Sequence, residues 1–354
     1  MRSEKVTSLD VARRAGVSQP TVSRVFSDGS KVSASLSERV HAAARELGYR
    51  PNTLARSLIT GRSKTIGLVV AYLNNPFYPE ALEKMSVALN GRGYHILVFF
   101  AANLAEEVDP VIDDLVAHQV DGIILASVSM SNALTERLQD TGIPFVLFNR
   151  GQEDPAISTV TSANFDGGFK AGRFLAAGGH QRIAHISGWQ RSLNGRDRQA
   201  GFVAGLKEAG MEPFICVDSH YRREMAIEAT RDLFAKDTVP DAIFVGNDHM
   251  AFAVIETLRC ELDLRVPEDV SIVGYDDVAM AAWKIYDLTT LRQPANRMVN
   301  ALVDLLLGMV EDGQTEPQKI EIESPLMVRG SARIPDGWTD EQSGEHTQEI
   351  GEKE

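Results

Sequence analysis

The sequence predicts an α/β chain: a three-helix head, a short basic hinge, and a two-lobed domain built from two doubly wound parallel sheets. Three observations predict it. Charge is divided along the chain, because residues 1–64 carry +7 although all 354 residues together carry −13. Apolar β-like runs alternate with helical periods in two successive series after residue 64. The last 20 residues carry −6 and show no apolar periodicity. With 44% hydrophobic and 24% charged residues, the composition is that of a soluble globular protein of two or three folding units.

The head reads as three short helices. Thr7 is a plausible N-cap, with Asp10 three residues on able to return a bond to the cap backbone. Leu9, Val11, Ala12 and Ala15 then form an apolar stripe that stops at Gly16. Ser18 caps a second helix and tolerates Pro20 in its first turn, where an amide has no intrahelical partner. Val22, Val25 and Phe26 face inward, which leaves Gln19, Thr21, Ser23 and Arg24 outside. A third helix runs from a cap near Ser33 through Leu36, Val40, Ala43, Ala44 and Leu47 to Gly48. Two helices across a tight glycine turn, braced by a third, make a helix-turn-helix.

Residues 49–65 are basic and small, with Leu54, Leu58 and Ile59 as the apolar side chains of any size. Alone, such a stretch is frayed. Strand-like runs follow at 65–71, 94–100, 121–127 and 145–148, then at 182–187, 214–217, 242–245 and 270–274, with helical segments between, including 77–91 and 105–118. Runs that are apolar throughout and separated by helices indicate parallel sheets covered on both faces. The acidic end, 335–354, is expected to be disordered, and it has no leucine heptad.

Several function classes are excluded at this level. The N-terminus has no apolar stretch before a small-residue cleavage site, and the longest apolar runs, such as Ile66 to Leu73, fall far short of the ~20 residues of a membrane span. A cytoplasmic protein is expected, without a membrane partner. Cys216 and Cys260 are expected to be buried reduced thiols. Asp166, Asp248 and Asp276 could share a cleft as acid and base. However, no GxSxG, HExxH or GxGxxG occurs, and GRSKT at 61–65 has Arg56 where a phosphate loop needs glycine. His180 and His185 are five apart, off one helical face, so no metal site is expected. The expectation is a non-enzyme with no cofactor.

The order helix-turn-helix, PNTLARSL, then a doubly wound bilobal domain closing with SIVGYDD and LTTLRQP resembles the lactose-repressor (LacI/GalR-type) family of bacterial transcription regulators. The resemblance covers about residues 6–334. It rests most on DVARRAGVSQPTVSRV (10–25), RPNTLARSL (50–58), RQAGF (198–202), NDHMA (247–251) and VSIVGYDD (270–277). It implies a DNA-binding domain at 1–50, a hinge helix and linker at 51–64, and a periplasmic-binding-protein-like effector and dimerisation domain at 65–334. Within the last, the N-lobe would be about 65–162 plus 291–322 and the C-lobe about 163–290 plus 323–334, with the acidic tail at 335–354.

In a helix-turn-helix the second helix enters the major groove with its N-terminal residues against base edges. Gln19, Pro20, Thr21 and Arg24 are therefore placed to read sequence: Gln suits adenine, Arg suits guanine, and Pro20 can touch only an edge or a thymine methyl. Ser18, Thr21 and Ser23 are candidates for phosphate contacts, and Thr7 is a further DNA-binding candidate. The resemblance implies that 52–59 folds into a helix on operator DNA, with Asn52, Ala55 and Arg56 at the duplex and Leu58 wedged into the minor groove beside its copy from a second subunit. A frayed basic segment that gains helix on binding agrees with this.

The same resemblance implies a small ligand between the lobes. Ligands of open parallel sheets sit outside the carboxyl ends of the strands, where Asn75, Ser127, Asn149, Asn247 and Asp276 fall. Arg198, Asn247 and Asp276 match effector-contacting positions of the family. Phe77, Tyr78, Tyr221 and Trp283 are candidate aromatic faces, and Gln293 lies at the crossover between lobes. Asp166 is expected at a lobe interface or helix cap. Asn149 is followed by Arg150, so two guanidiniums near one cleft lean toward a sugar acid or sugar phosphate over a neutral sugar. The reading is thus a homodimeric repressor of carbohydrate or sugar-acid catabolism genes, controlled by a sugar, sugar acid or sugar phosphate. Its alternatives are control by a partner-protein co-repressor or a sugar-binding transport protein. Replacing Leu58 by Ala should weaken operator binding in a titration at fixed salt while leaving ligand affinity nearly unchanged. Equal operator affinity would remove the wedge.

Overall fold

The computed structural model describes residues 6–26, 32–50, 61–101, 105–128 and 132–339. The chain divides into two units, Met1–Ser63 and Lys64–Glu354. In the first, α1 (Ser8–Ala15), α2 (Gln19–Val25) and α3 (Ala34–Leu47) enclose a small core of Val11, Ala12, Val22, Val40, Ala43 and Ala44. The Asp10 carboxylate accepts from the Thr7 N–H at 3.0 Å and from its hydroxyl at 2.7 Å, which fixes the start of α1. Gly16 and Gly48 end α1 and α3 at φ 63° and 65°, a region costly for residues with a Cβ. Arg39 ties α3 to the end of α1 by donating to the Ala15 carbonyl at 2.7 Å, and Arg14 pairs with Glu46 at 2.8 Å. Leu9, expected in the apolar stripe, is 45% exposed because the core is filled by the smaller Val11, Ala12 and Ala15.

The second unit alternates strands and helices as the two apolar series predict. First come β1 (Thr65–Val70), α4 (Phe77–Gly91), β2 (His95–Phe100), α5 (Ala105–Ala117), β3 (Gly122–Ala126), α6 (Asn132–Asp140), β4 (Phe145–Phe148) and β5 (Thr159–Ser162). There follow α7 (Asn164–Ala177), β6 (Ile183–Ser187), α8 (Leu193–Glu208), β7 (Ile215–Asp218), α9 (Arg223–Phe234), β8 (Ala242–Val245), α10 (Asp248–Cys260), β9 (Ser271–Asp276) and β10 (Thr289–Arg292). The chain then adds α11 (Ala295–Asp312), β11 (Lys319–Ile322) and β12 (Leu326–Met327).

Among the described residues these strands form two sheets of six, ordered β11-β5-β4-β3-β1-β2 in the N-lobe and β12-β10-β9-β8-β6-β7 in the C-lobe. Every pairing is parallel except β10 with β12. Strand order reverses between β1 and β3 and between β6 and β8, so each sheet opens a crevice at those carboxyl ends. No helix among the described residues is long and apolar enough to cross a membrane.

Strands β5, β10, β11 and β12 escape the sequence reading because they are short: TVTS and TTLR are polar, and KIEI alternates. Cys216 and Cys260 are exposed, which corrects the expectation of buried thiols: Cys216 lies on edge strand β7 and Cys260 at the last position of α10. The acidic tail starts later than expected, since Trp338 packs edge-on to Phe174 at 5.1 Å. The rest of the tail, 340–354, lies outside the described residues, as does most of the hinge, 51–60.

The chain passes between lobes after β5, after β10 and after β11. Tyr275 ties two of these passages, its hydroxyl bonding Ser162 at 3.2 Å and Ser324 at 3.1 Å. At the third, Gln293 donates to the Asp276 carboxylate at 2.5 Å.

Beside these three passages, which together form the interlobe hinge, α7 and α8 touch backbone to backbone. A Cβ on Gly168 would lie 2.1 Å from the Arg198 carbonyl oxygen, on Gly172 2.5 Å from that of Phe202, on Gly201 1.9 Å from that of Phe165, and on Gly205 2.3 Å from that of Phe169. Glycine at these positions is required by size. Gly201→Ala should therefore lower stability in urea melts by about 1–3 kcal/mol through overpacking. Gly91→Ala, where no atom lies within 4 Å of the added carbon, should stay within about 0.5 kcal/mol. Equal midpoints for the two variants would contradict this packing.

Candidate functional site

Helix α2 presents the candidate nucleic-acid face. Thr7, Ser18, Gln19, Pro20, Ser23 and Arg24 are exposed and Thr21 is half-buried. Gln19 donates to the Ser8 hydroxyl at 3.1 Å, while the Ser18 and Thr21 hydroxyls lie 2.8 Å apart. Pro20 occupies the first turn of α2, so it removes no helical hydrogen bond. Asn52, Ala55, Arg56 and Leu58 lie outside the described residues.

A cleft of about 510 Å³ opens between the lobes at the carboxyl ends of the strands, within the range of small-molecule sites. From the N-lobe, the chain after β1 supplies Tyr72 and Asn75, the first turn of α4 supplies Tyr78, the end of β3 supplies Ser127, and the end of β4 supplies Asn149 and Arg150. From the C-lobe, β6 leads to Trp189, the start of α8 carries Ser192, Asn194 and Arg198, and β7 leads to His220, Tyr221 and Arg222. Asn247 after β8, Asp276 at the end of β9 and Gln293 at the passage complete it. Ser127, Asn149, His220, Tyr221 and Asp276 adopt positive φ, so several strand ends hold a sparsely populated backbone to aim these side chains.

Asp276 is the polar centre. Its carboxylate accepts from the Asn75 amide at 2.8 Å, across the lobes, and from Gln293 at the hinge, and it lies 4.0 Å from the Arg198 guanidinium. Arg198, 3% exposed, donates to Asn164 Oδ1 at 2.8 Å and to the Gly246 carbonyl at 2.7 Å, and it stacks 3.6 Å over the Tyr275 ring. Asp248 lies behind, accepting from the Thr290 hydroxyl at 2.6 Å and the Val278 N–H at 3.0 Å. Burial pushes both carboxyls above the usual carboxylate range, and the neighbouring Asp276 pushes Asp248 further. Arg198 and two amide donors oppose that push at Asp276, so the proton of this pair belongs on Asp248.

A second set of contacts closes the mouth. Asn194 donates to the Asn149 carbonyl at 3.0 Å and accepts from the Gly151 N–H at 3.1 Å, both across the lobes. Asn149 donates to the Tyr78 hydroxyl at 3.3 Å. Gly188 makes room for Tyr221, since a Cβ there would stand 2.0 Å from its ring. The Asn149 Oδ1, Gln293 Oε1 and Tyr221 hydroxyl are buried without a hydrogen-bond partner.

The cleft brings together Tyr78, Ser127, Asn149, Arg150, Arg198, Tyr221, Asn247, Asp276 and Gln293, with Asn75 beside them. Two expected aromatic faces lie elsewhere. Phe77 is buried and stacked on Phe148 at 6.2 Å, because the first turn of α4 points it into the N-lobe core. Trp283 is 54% exposed at the end of a short 3-10 turn and does not line the cleft. Asp166 stands in the first turn of α7, paired with Lys170 at 2.8 Å. Tyr72, Trp189, Ser192, Asn194, His220 and Arg222 were missed. The strand-end rule applied to β6 and β7 as well would have found Trp189, His220 and Arg222.

Residues 7–52 match the bacterial regulatory proteins, lacI family, and residues 173–332 match the periplasmic binding protein-like domain. The chain is 34% identical to the HTH-type transcriptional repressor PurR of Erwinia tasmaniensis, covering 94% of this chain and 97% of that one. It is 35% identical to the HTH-type transcriptional regulator CelR of Thermobifida fusca, over 93% and 99% of the two chains. Among solved structures, a CelR–cellobiose complex aligns with 33% identity and a TM-score of 0.71, covering 93% of this chain and 100% of that one. A lac repressor dimer bound to operator and the anti-inducer ONPF aligns with 28% identity and a TM-score of 0.83, covering 93% and 99%. A small molecule that enters the cleft should change the emission of Trp189. Trp189→Phe should abolish the response and Trp283→Phe preserve it, and the reverse pattern would move the site.

Proposed function

The chain belongs to the lacI family of bacterial regulatory proteins, and from that premise we propose that it represses genes of carbohydrate or sugar-acid catabolism. It binds a pseudo-palindromic operator as a homodimer in the cytoplasm, and a small molecule held between the lobes changes operator affinity. Gln19, Pro20 and Arg24 read base edges, with Ser18, Thr21 and Ser23 on phosphates and Thr7 as a further DNA contact. Asn52, Ala55, Arg56 and Leu58 act at the minor groove.

One observation carries the reading: the cleft's central carboxylate, Asp276, is bonded at once to the N-lobe through Asn75 and to the interlobe passage after β10 through Gln293. A ligand that engages Asp276, Arg198 and Asn247 therefore acts on the groups that set the angle between lobes. The unpartnered Asn149 Oδ1, Gln293 Oε1 and Tyr221 hydroxyl are the buried polar groups that a polyhydroxylated ligand would satisfy. Tyr78, Ser127 and Arg150 complete the wall. Ligand shifts the dimer toward one lobe arrangement, and operator affinity changes by the difference in its binding free energy to the two. Release of operator by ligand is the proposed polarity.

Operator fragments selected from genomic DNA by the purified protein identify the site and its neighbouring genes. On such a fragment, Arg198→Met should melt at a lower temperature, because Asp276 loses its buried counter-charge, yet still bind DNA while folded and lose the ligand response. A variant that still responds fully would take Arg198 out of the effector site.

A further inference from the structure

The cleft's charges are unequal. Among the described residues lining it, the cations are Arg150, Arg198 and Arg222, with His220 beside them, and the carboxylate is Asp276. Asp276 already faces Arg198 at 4.0 Å and two amide donors, so the charge of Arg198 is largely balanced where it lies. Arg150 stands over the Trp189 ring, 5.6 Å from its centroid, and shares with Arg198 and Asp276 the electrostatic surroundings of Tyr78 and Tyr221. The chain at Arg150 adjoins the start of α8, because Gly151 donates to Asn194, and Ser192 caps the helix by accepting from the Gly195 N–H at 3.1 Å. The first turn of a 16-residue helix adds a positive field there. The two kinds of group suit different parts of one molecule: hydroxyls bond carboxylates and amides, whereas guanidiniums grip carboxylate or phosphate in bidentate fashion.

We propose that the ligand of this cleft is anionic: a small polyhydroxylated molecule bearing one carboxylate or phosphate group. Its charged group lies against Arg150, with Arg222 and His220 at the rim, and its hydroxyls lie toward Asp276, Asn247 and Gln293. Trp189 shields the charged end from water on one side, which strengthens the ion pair. This inference rests on the effector reading of the same cleft and narrows it to one charge class.

The test is calorimetric titration of the full chain with matched probes. D-glucose is compared with D-gluconate and D-glucose 6-phosphate, and D-galactose with D-galacturonate and D-galactose 6-phosphate. Cellobiose and D-ribose serve as further neutral probes. At least one anion should bind about tenfold or more tighter than its neutral parent, a margin of about 1.4 kcal/mol, and the carboxylate and phosphate arms tell which group is read. Arg150→Gln should erase that margin while its ligand-free melting temperature shows the fold intact. Binding confined to neutral sugars, or a margin unchanged in Arg150→Gln, overturns the proposal and leaves the effector reading standing. Silence toward every probe counts against both.

Discussion

The buried charge of Arg198 is the constraint on which the cleft depends. A guanidinium cannot shed its proton, so at 3% exposure it must be met by acceptors and by an opposing charge. The groups that meet it come from three separate parts of the C-lobe. Asn164 opens α7 just after the first passage between lobes, Gly246 ends β8, and Tyr275 and Asp276 end β9. Removing one partner of such a set leaves the charge uncompensated, a cost of about 3–5 kcal/mol for buried pairs. The glycine contact between α7 and α8 is what brings Arg198 this close, since Gly168 abuts its backbone carbonyl at a distance no side chain permits.

Site and hinge are consequently one network. Tyr275 supports Arg198 with its ring and ties two interlobe passages with its hydroxyl, while the adjacent Asp276 bonds the third passage through Gln293 and the opposite lobe through Asn75. A ligand need not transmit strain over a distance to alter the lobe angle. It exchanges hydrogen bonds with the groups that already define that angle, and the population of each arrangement follows from its differential affinity.

Much of this was legible in the sequence because the relevant signals are local. The capping pair Thr7 and Asp10 and the stops at Gly16 and Gly48 are read from a few residues each. The apolar runs at β1, β3 and β8 are buried on both faces and therefore unmistakable. Polar β5, two-residue β12 and alternating β11 carry no such signature, since their places are set by neighbours distant in sequence. In the cleft, the strand-end rule reaches Asn75, Ser127, Asn149, Asn247 and Asp276, while of the four aromatic candidates Tyr78 and Tyr221 line it and Phe77 and Trp283 do not: neighbours Phe77 and Tyr78 differ in direction, one into the core and one toward the cleft. The paired glycines at 168 and 172 and at 201 and 205 are spaced to lie along one helix face. That spacing was present in the sequence and unread.

Cleft and operator are expected to be coupled through the interlobe network, and coupling between two binding sites is reciprocal. The direct measurement is the dissociation constant of a cleft ligand for the full chain, free and saturated with operator DNA, at one salt concentration. Operator should change ligand affinity by the same factor by which ligand changes operator affinity. Ligand affinity identical on and off DNA, in a protein whose cleft demonstrably binds that ligand, would contradict it.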